Sequence, residues 1–208
     1  MNETEATKVD RLISDAEAGN AEALGDLFEM HRVRLLSILG FRIDTRLRGR
    51  LDPTDVLQEA LIEATARFPE FCRDRKMSFF LWLRFITVQK LLQLHRKHLG
   101  TKVRDAAREV SIFAGPHPQA TSAVLAAHLL GKHTSPSGAA VRAETQLQME
   151  RALNTMEELD REVLALRHFE QLGNGEVAKV LEISEKAASN RYMRALKRLG
   201  TVLGRGES

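Results

Sequence analysis

Lys186, Ser189, Asn190, Arg191, Arg194 and Lys197 fall close together near the end of the chain, and their side chains share one chemistry. Ammonium and guanidinium groups neutralise phosphates, and Asn and Arg can also hydrogen-bond to base edges. The stretch from Lys186 to Arg205 holds six Lys/Arg and no acid. A second basic zone, Arg73 to Arg108, holds ten Lys/Arg with only Asp74 and Asp105 as acids. Its candidate contacts are Arg73, Arg75, Lys76, Arg84, Lys90, Arg96 and Lys97. Between the zones, Glu150 to Glu176 carries seven acids against Arg151, Arg161 and Arg167. Two separated basic zones suggest two contacts with one polyanion. The blander reading of the charge alone is solvated helix faces.

A third set is acidic. Asp55, Gln58, Glu59 and Glu63 lie opposite the Leu57/Leu61 stripe, with Asp52 just before them. DNA would be repelled from such a face, so beside two basic segments it reads as a protein-docking surface. Little else offers chemistry. His95 and His98 stand at i,i+3 and could share a metal, but no acid is paired with them nearby. Cys72 is the only cysteine, which excludes an internal disulfide and a multi-cysteine zinc site. There is no glycine-rich phosphate loop and no Ser or Cys nucleophile in a recognisable setting. The expectation is a protein that is not an enzyme and needs no cofactor or metal.

The elements that must position these residues are helical. Hydrophobic residues make up 43% and aromatics only 5% of the 208 residues. Leu, Val and Ala must therefore build most of the core, and they recur at helical rather than alternating intervals. Leu12, Ile13 and Ala16 are followed by a break at Gly19-Asn20, then by Leu24, Leu27, Phe28, Leu35, Leu36 and Leu39. Asp52 can cap the next helix, with Pro53 at its first position. Pro69 is expected to end it. Ser78 can cap a further helix to about His98, with Gly100 as its stop. On that helix Thr87, Gln89, Lys90, Gln93, Arg96 and Lys97 form a polar side. Trp82 and Ile86 fall on the same side, either as a stacking wedge or as core against a neighbour.

Loop chemistry dominates Gly115-Pro116-His117-Pro118 and Thr134-Ser135-Pro136-Ser137-Gly138. Ala120 to Leu130, between them, reads as a short helix or docking segment within a linker. Helical spacing then returns. Val177, Ala178, Val180 and Leu181 mark a short helix, and Glu182-Ile183-Ser184 a tight break. Ser184 can cap a second helix whose inner face is Ala188, Tyr192, Ala195, Leu196 and Leu199. This is the pattern of a helix-turn-helix, in which a short helix braces a second one that can enter the major groove. The expected fold is all-α, as two small helical domains, 8–108 and 143–204, joined by a flexible linker, 109–142.

The order of motifs resembles the extracytoplasmic-function (ECF) group of sigma factors within the sigma-70 family. Asp52-Pro53-Thr54-Asp55-Val56-Leu57-Gln58-Glu59-Ala60 is similar to the family's segment that docks on core RNA polymerase. Phe79-Phe80-Leu81-Trp82-Leu83-Arg84-Phe85-Ile86 is similar to its helix for the melted promoter. Asp160 to Phe169 and Ile183-Ser184-Glu185-Lys186 are similar to its C-terminal promoter-reading domain. The likeness covers roughly 8–108 and 143–204.

The resemblance implies a sigma factor that directs core polymerase to promoters. Asp52, Asp55, Gln58 and Glu59 would bind the clamp of the largest subunit. Arg73, Arg75, Lys76, Arg84, Lys90, Arg96 and Lys97 would serve the minus-ten element, with the Phe71–Met77 loop capturing an unstacked base. Lys186, Ser189, Asn190, Arg191, Arg194 and Lys197 would serve the minus-thirty-five element. It implies promoter DNA and polymerase as partners, leaves room for an anti-sigma factor, and implies a cytoplasmic location. Met1 to Asp10 is polar, and no apolar run approaches the length that crosses a bilayer. A helix-turn-helix regulator acting without polymerase is the alternative. Glu182 stands where the family often has glycine, Ala187-Ala188 replaces the usual Thr-Val, and the 112–138 linker is long.

Overall fold

In the computed structural model, residues 3–99, 122–131 and 139–203 are described, and every regular element among them is helical. The chain divides into two compact units, 1–107 and 108–208. Gly100 and both Pro/Gly/Ser clusters of the linker lie outside the described residues.

The first unit holds α1 (Glu3–Glu17), α2 (Ala21–Arg42), α3 (Pro53–Arg73) and α4 (Phe79–Leu99). The capping residues act as their chemistry dictates. Asn20 accepts hydrogen bonds from the Glu22 and Ala23 amides at 3.0 and 3.3 Å. Asp52 accepts from Thr54 N–H at 2.7 Å, with Pro53 next in the first turn of α3. Ser78 Oγ accepts from Leu81 N–H at 3.3 Å. Each such cap satisfies an amide that has no partner inside its own helix.

α2 packs on α1, α3 and α4, and α3 packs on α4. Leu27, Leu35, Leu39, Leu57, Ala60, Ala64, Leu83 and Ile86 are fully buried between them. At the far end of α3 an aromatic cluster closes the bundle. Trp82 sits 4.8 Å from Phe71, 5.5 Å from Phe79 and 6.4 Å from Phe68, centroid to centroid.

This cluster accounts for a departure from the sequence pattern. α3 does not stop at Pro69 but continues to Arg73 with Pro69 inside it. An interior proline costs a helix about 3 kcal/mol. Phe68 and Phe71, on either side of Pro69, are both buried, and burying two such rings offsets that cost at about 1.5–3 kcal/mol each.

The second unit holds α5 (Ser122–Leu129), α6 (Ala139–Asn154), α7 (Glu158–Leu164), a wider π-helical turn (Ala165–Phe169), α8 (Asn174–Leu181) and α9 (Glu185–Leu203). α5 lies within the stretch read as linker, yet it packs on α6 and on the π-helical turn, burying Leu125 and Ala126. α6 already begins at Ala139. In the π turn the Glu170 amide donates to Ala165 O, one residue beyond an α-helical bond. The His168 carbonyl there lies 3.1 Å from His128 Nε2 of α5, and its ring nitrogen Nε2 lies 3.1 Å from the Tyr192 hydroxyl of α9.

The turn between α8 and α9 is built as the sequence suggests, with one strained residue. Ile183 N–H donates to Ala178 O at 3.0 Å and Glu182 N–H to Lys179 O at 3.3 Å, the paired bonds of a Schellman stop. Glu182 takes the left-handed conformation that stop requires, φ 52° and ψ 41°. A side chain costs about 1–2 kcal/mol there, and glycine costs nothing sterically. Glu182→Gly is therefore expected to stabilise the second unit by about 0.5–1 kcal/mol, after glycine's larger chain entropy is set against the relief. A thermal melt should rise by a few degrees; a fall would mean that the glutamate side chain contributes more than its backbone costs.

Candidate nucleic-acid interface

α9 presents its two faces as a helix-turn-helix requires. Ala188, Ala195 and Leu199 are buried against α6, α7 and α8, with Tyr192 and Leu196 half-buried beside them. Ser184 Oγ accepts from Ala187 N–H at 3.1 Å and opens the helix. Lys186, Ser189, Asn190, Met193 and Lys197 are exposed on the outer face. The ammonium groups of Lys186 and Lys197 thus stand exposed on one face with Ser189 and Asn190, side chains that can bind phosphates and base edges.

Arg191, which is half-buried, and Arg194, which is exposed, differ from these neighbours in being paired with acids. Arg191 Nη1 donates to Asp160 Oδ1 at 2.8 Å and to Glu157 Oε2 at 3.1 Å. Arg194 grips Asp160 with two bonds, Nε to Oδ2 at 2.7 Å and Nη2 to Oδ1 at 2.9 Å. Burial alone would raise the Asp160 pKa, but the hydrogen bonds from Arg194 and Arg191 and their charges outweigh it and hold the carboxyl below its ordinary value. Its stabilising charge is therefore complete above the usual aspartate range and is lost only as pH falls below it. Asp160, at 4% exposure, was visible in the sequence only as a member of the acidic stretch and as the start of the family-like Asp160–Phe169 segment, with nothing to mark it as the partner of Arg191 and Arg194.

The basic residues of the first unit also sort by environment. Arg73, Arg96 and Lys97 are exposed. Arg75 is exposed but paired with Glu17 of α1 at 2.8 Å, and Lys76 is paired with Asp74. Two candidates depart from the expectation of contact. Arg84 is buried at 2% exposure, and Lys90 is drawn down to Glu63 at 3.1 Å. The cause is that the first half of α4 is enclosed nearly all round. Phe79 to Arg84 and Ile86 to Val88 are all buried, so the polar side read from the helical wheel does not exist there. Trp82 and Thr87 belong to the core, with Thr87 Oγ1 donating to Leu83 O at 2.8 Å. Phe71 is buried in α3, so the exposed turn begins only after Arg73.

On α3, Asp52, Asp55, Gln58 and Glu59 are all exposed while Val56, Leu57 and Ala60 point inward. Glu63 leaves this face, since it pairs with Lys90 and with Arg67 at 3.4 Å. Ile62 continues the face at 73% exposure, an apolar residue beyond the acidic turn that the sequence pattern did not single out. His95, a candidate ligand in the metal reading, instead has its Nε2 3.5 Å from the Asp44 amide, and burial pushes its pKa down. Among the described residues no group of three or more His, Cys, Asp or Glu is placed to hold a metal, and no helix is long and apolar enough to cross a membrane.

Residues 146–199, which span the α6-to-α9 array just described, match the family model "Sigma-70, region 4". The chain is 27% identical to the ECF RNA polymerase sigma factor SigD of Mycobacterium tuberculosis, over 92% of this chain and 82% of that protein. It resembles ECF sigma factors over nearly its whole length. It is also 28% identical to the RNA polymerase sigma factor CnrH of Cupriavidus metallidurans, over 98% of this chain and 97% of that one. The solved structure of CnrH, in complex with the cytosolic domain of CnrY, has the same fold, with a TM-score of 0.55 at 24% identity over 95% of this chain and 98% of CnrH. The likeness to sigma factors thus takes in the acidic face of α3 as well as the helix-turn-helix.

Proposed function

We propose that this chain is a sigma factor that joins core RNA polymerase and directs it to promoters to start transcription. The observation that carries the reading is that the likeness to ECF sigma factors runs through both units. It gives each exposed face a task. The α3 face of Asp52, Asp55, Gln58, Glu59 and Ile62 docks on the clamp of the largest polymerase subunit. Arg73, Arg75, Lys76, Arg96 and Lys97 track the backbone of the minus-ten region. Lys186, Ser189, Asn190 and Lys197 offer α9 to the minus-thirty-five groove. A helix-turn-helix regulator acting alone would leave the first unit without a task.

The chain performs no chemistry of its own and needs no cofactor, because bond making belongs to the polymerase; its place is the cytoplasm. CnrH was solved with a second protein, the cytosolic domain of CnrY, and the reading leaves room for an anti-sigma factor as a protein partner of this chain.

The test is to mix the purified protein with sigma-free core polymerase and map transcript starts genome-wide. Starts sharing an upstream element support the reading, and no starts above core alone reject it. Variants on α9 then separate reading from gripping. A good bidentate base contact contributes about 1–3 kcal/mol of discrimination. Asn190→Ala is expected to relax preference at one or two base pairs of the upstream element. Lys197→Ala is expected to weaken all promoters alike and to lower the salt dependence by about one phosphate contact. If both variants weaken every promoter equally, α9 grips DNA without reading it.

A further inference from the structure

We propose that Asp160 is the positioning residue of the promoter-reading helix: it pins Arg191 and Arg194 to α7, fixes the pose of α9, and keeps both arginines from serving as base readers. The inference rests on the sigma-factor reading and deepens it.

The geometry is that of a brace between two helices. The Asp160 side chain is 6% exposed, and the hydrogen bonds described for it all come from α9. Arg194 lies one turn beyond Arg191, so the two guanidinium groups reach a single carboxylate from adjacent turns. Glu157 backs the same arginines from the rim, 3.1 Å from Arg191 Nη1 and 3.9 Å from Arg194 Nη2. Two carboxylates and two guanidinium groups cancel in charge. The acid-free end of the chain is thus less cationic at this point than its composition implies.

The brace also draws on donors that recognition would use, Nη1 of Arg191 and one edge of Arg194. Arg194 spends its Nε–Nη2 edge on Asp160, and that edge cannot fork onto a guanine at the same time. Lys186, Ser189, Asn190 and Lys197 carry no such obligation to α7, so discrimination falls to them, in the pose that Asp160 sets. Removing the carboxylate should have two opposite effects. The pose loosens, so discrimination falls at every position of the upstream element. One cationic charge is released beside the DNA, so binding to any sequence strengthens and its salt dependence steepens by about one phosphate contact.

The experiment compares wild type, Asp160→Asn, Arg194→Gln and the double variant, each as holoenzyme with core polymerase on a library of upstream-element variants, together with salt titrations of promoter binding. Asp160→Asn is expected to reduce preference for the best over scrambled elements by about ten-fold, spread across positions, with a steeper salt slope. Arg194→Gln should relax all positions by a smaller factor. The double variant should discriminate no worse than Asp160→Asn alone, since both substitutions break one brace. Additive losses in the double variant, with Arg194→Gln changing preference at a single base pair, would overturn the proposal, because Arg194 would then be reading a base. An unchanged salt slope with wild-type discrimination in Asp160→Asn would overturn it as well. Should Asp160→Asn lose its helical signal, Arg194→Gln decides alone: uniform relaxation supports the brace, and a change at one base pair rejects it. A wild-type holoenzyme that starts no transcription rejects the sigma-factor reading itself, and that result is visible before any variant is made.

Discussion

Asp55→Arg combined with Glu59→Arg is expected to reduce binding to core polymerase at least about a hundred-fold, because like charges brought together across an interface cost several kcal/mol. Both residues are exposed on α3, one turn apart, and the side chains that hold α3 in the bundle, Val56, Leu57 and Ala60, point the other way. The helical signal should therefore persist. A small loss of thermal stability is expected from Asp55, which lies in the first turn of α3, where an acid favours the helix dipole by about 0.3–1 kcal/mol. Glu29→Arg, on the exposed side of α2, is the control for a general charge effect and should bind core polymerase within a few-fold of wild type. Co-purification and competition for core polymerase measure both. If the doubly reversed protein binds like wild type while remaining helical, the acidic face of α3 has another task.

What the sequence revealed about this molecule divides along physical lines. Caps were legible, because they depend on one side chain and its nearest amides: Asp52, Ser78 and Ser184 all accept the bonds their positions suggest, and Asn20, read only as part of a break, caps α2 in the same way. The inner face of α9 was legible for the same local reason, since Ala188, Ala195 and Leu199 repeat at helical spacing and are buried. Tertiary burial was not legible. Pro69 lies inside a helix because Phe68 and Phe71 on either side of it are gathered into an aromatic cluster formed partly by α4. Thr87 was assigned to a polar side by a wheel that assumes one buried face, and Arg84 to DNA contact by its charge, but the first half of α4 is enclosed nearly all round. Pairings between distant residues were the least legible. Nothing local distinguishes Arg191 and Arg194 from Lys197; only a carboxylate more than thirty positions away does.

Trp82→Ala is expected to destabilise the first unit by about 3–5 kcal/mol, the range for truncating a large buried aromatic residue. Trp82 is 6% exposed and packs at tilted and edge-on angles among Phe68, Phe71 and Phe79, so the substitution removes the ring at the centre of that cluster and leaves a cavity. A domain of this size has a total stability of about 5–15 kcal/mol, so the loss is a large share of it. The midpoint for the first unit should fall by roughly 12–40 °C. The chain forms two compact units, so two transitions are expected, and only the first unit's should move. A local signature should accompany the global one. The cluster supplies the burial that carries α3 past Pro69, so amides from Glu70 to Asp74 should exchange faster with solvent than those of Val56 to Ala64. Trp82→Phe, which keeps a ring in place, should lose much less. Trp82 is the only tryptophan, so calorimetry and circular dichroism rather than fluorescence must report the melt. The competing role is a wedge that stacks on an unpaired base during promoter opening. That role predicts an unchanged melt for Trp82→Ala with transcription lost only on promoters that must be opened and restored on templates already melted. A core role predicts the large fall in the melt, and because a destabilised first unit also loses its hold on polymerase, a pre-melted template should not restore transcription at temperatures above the new midpoint.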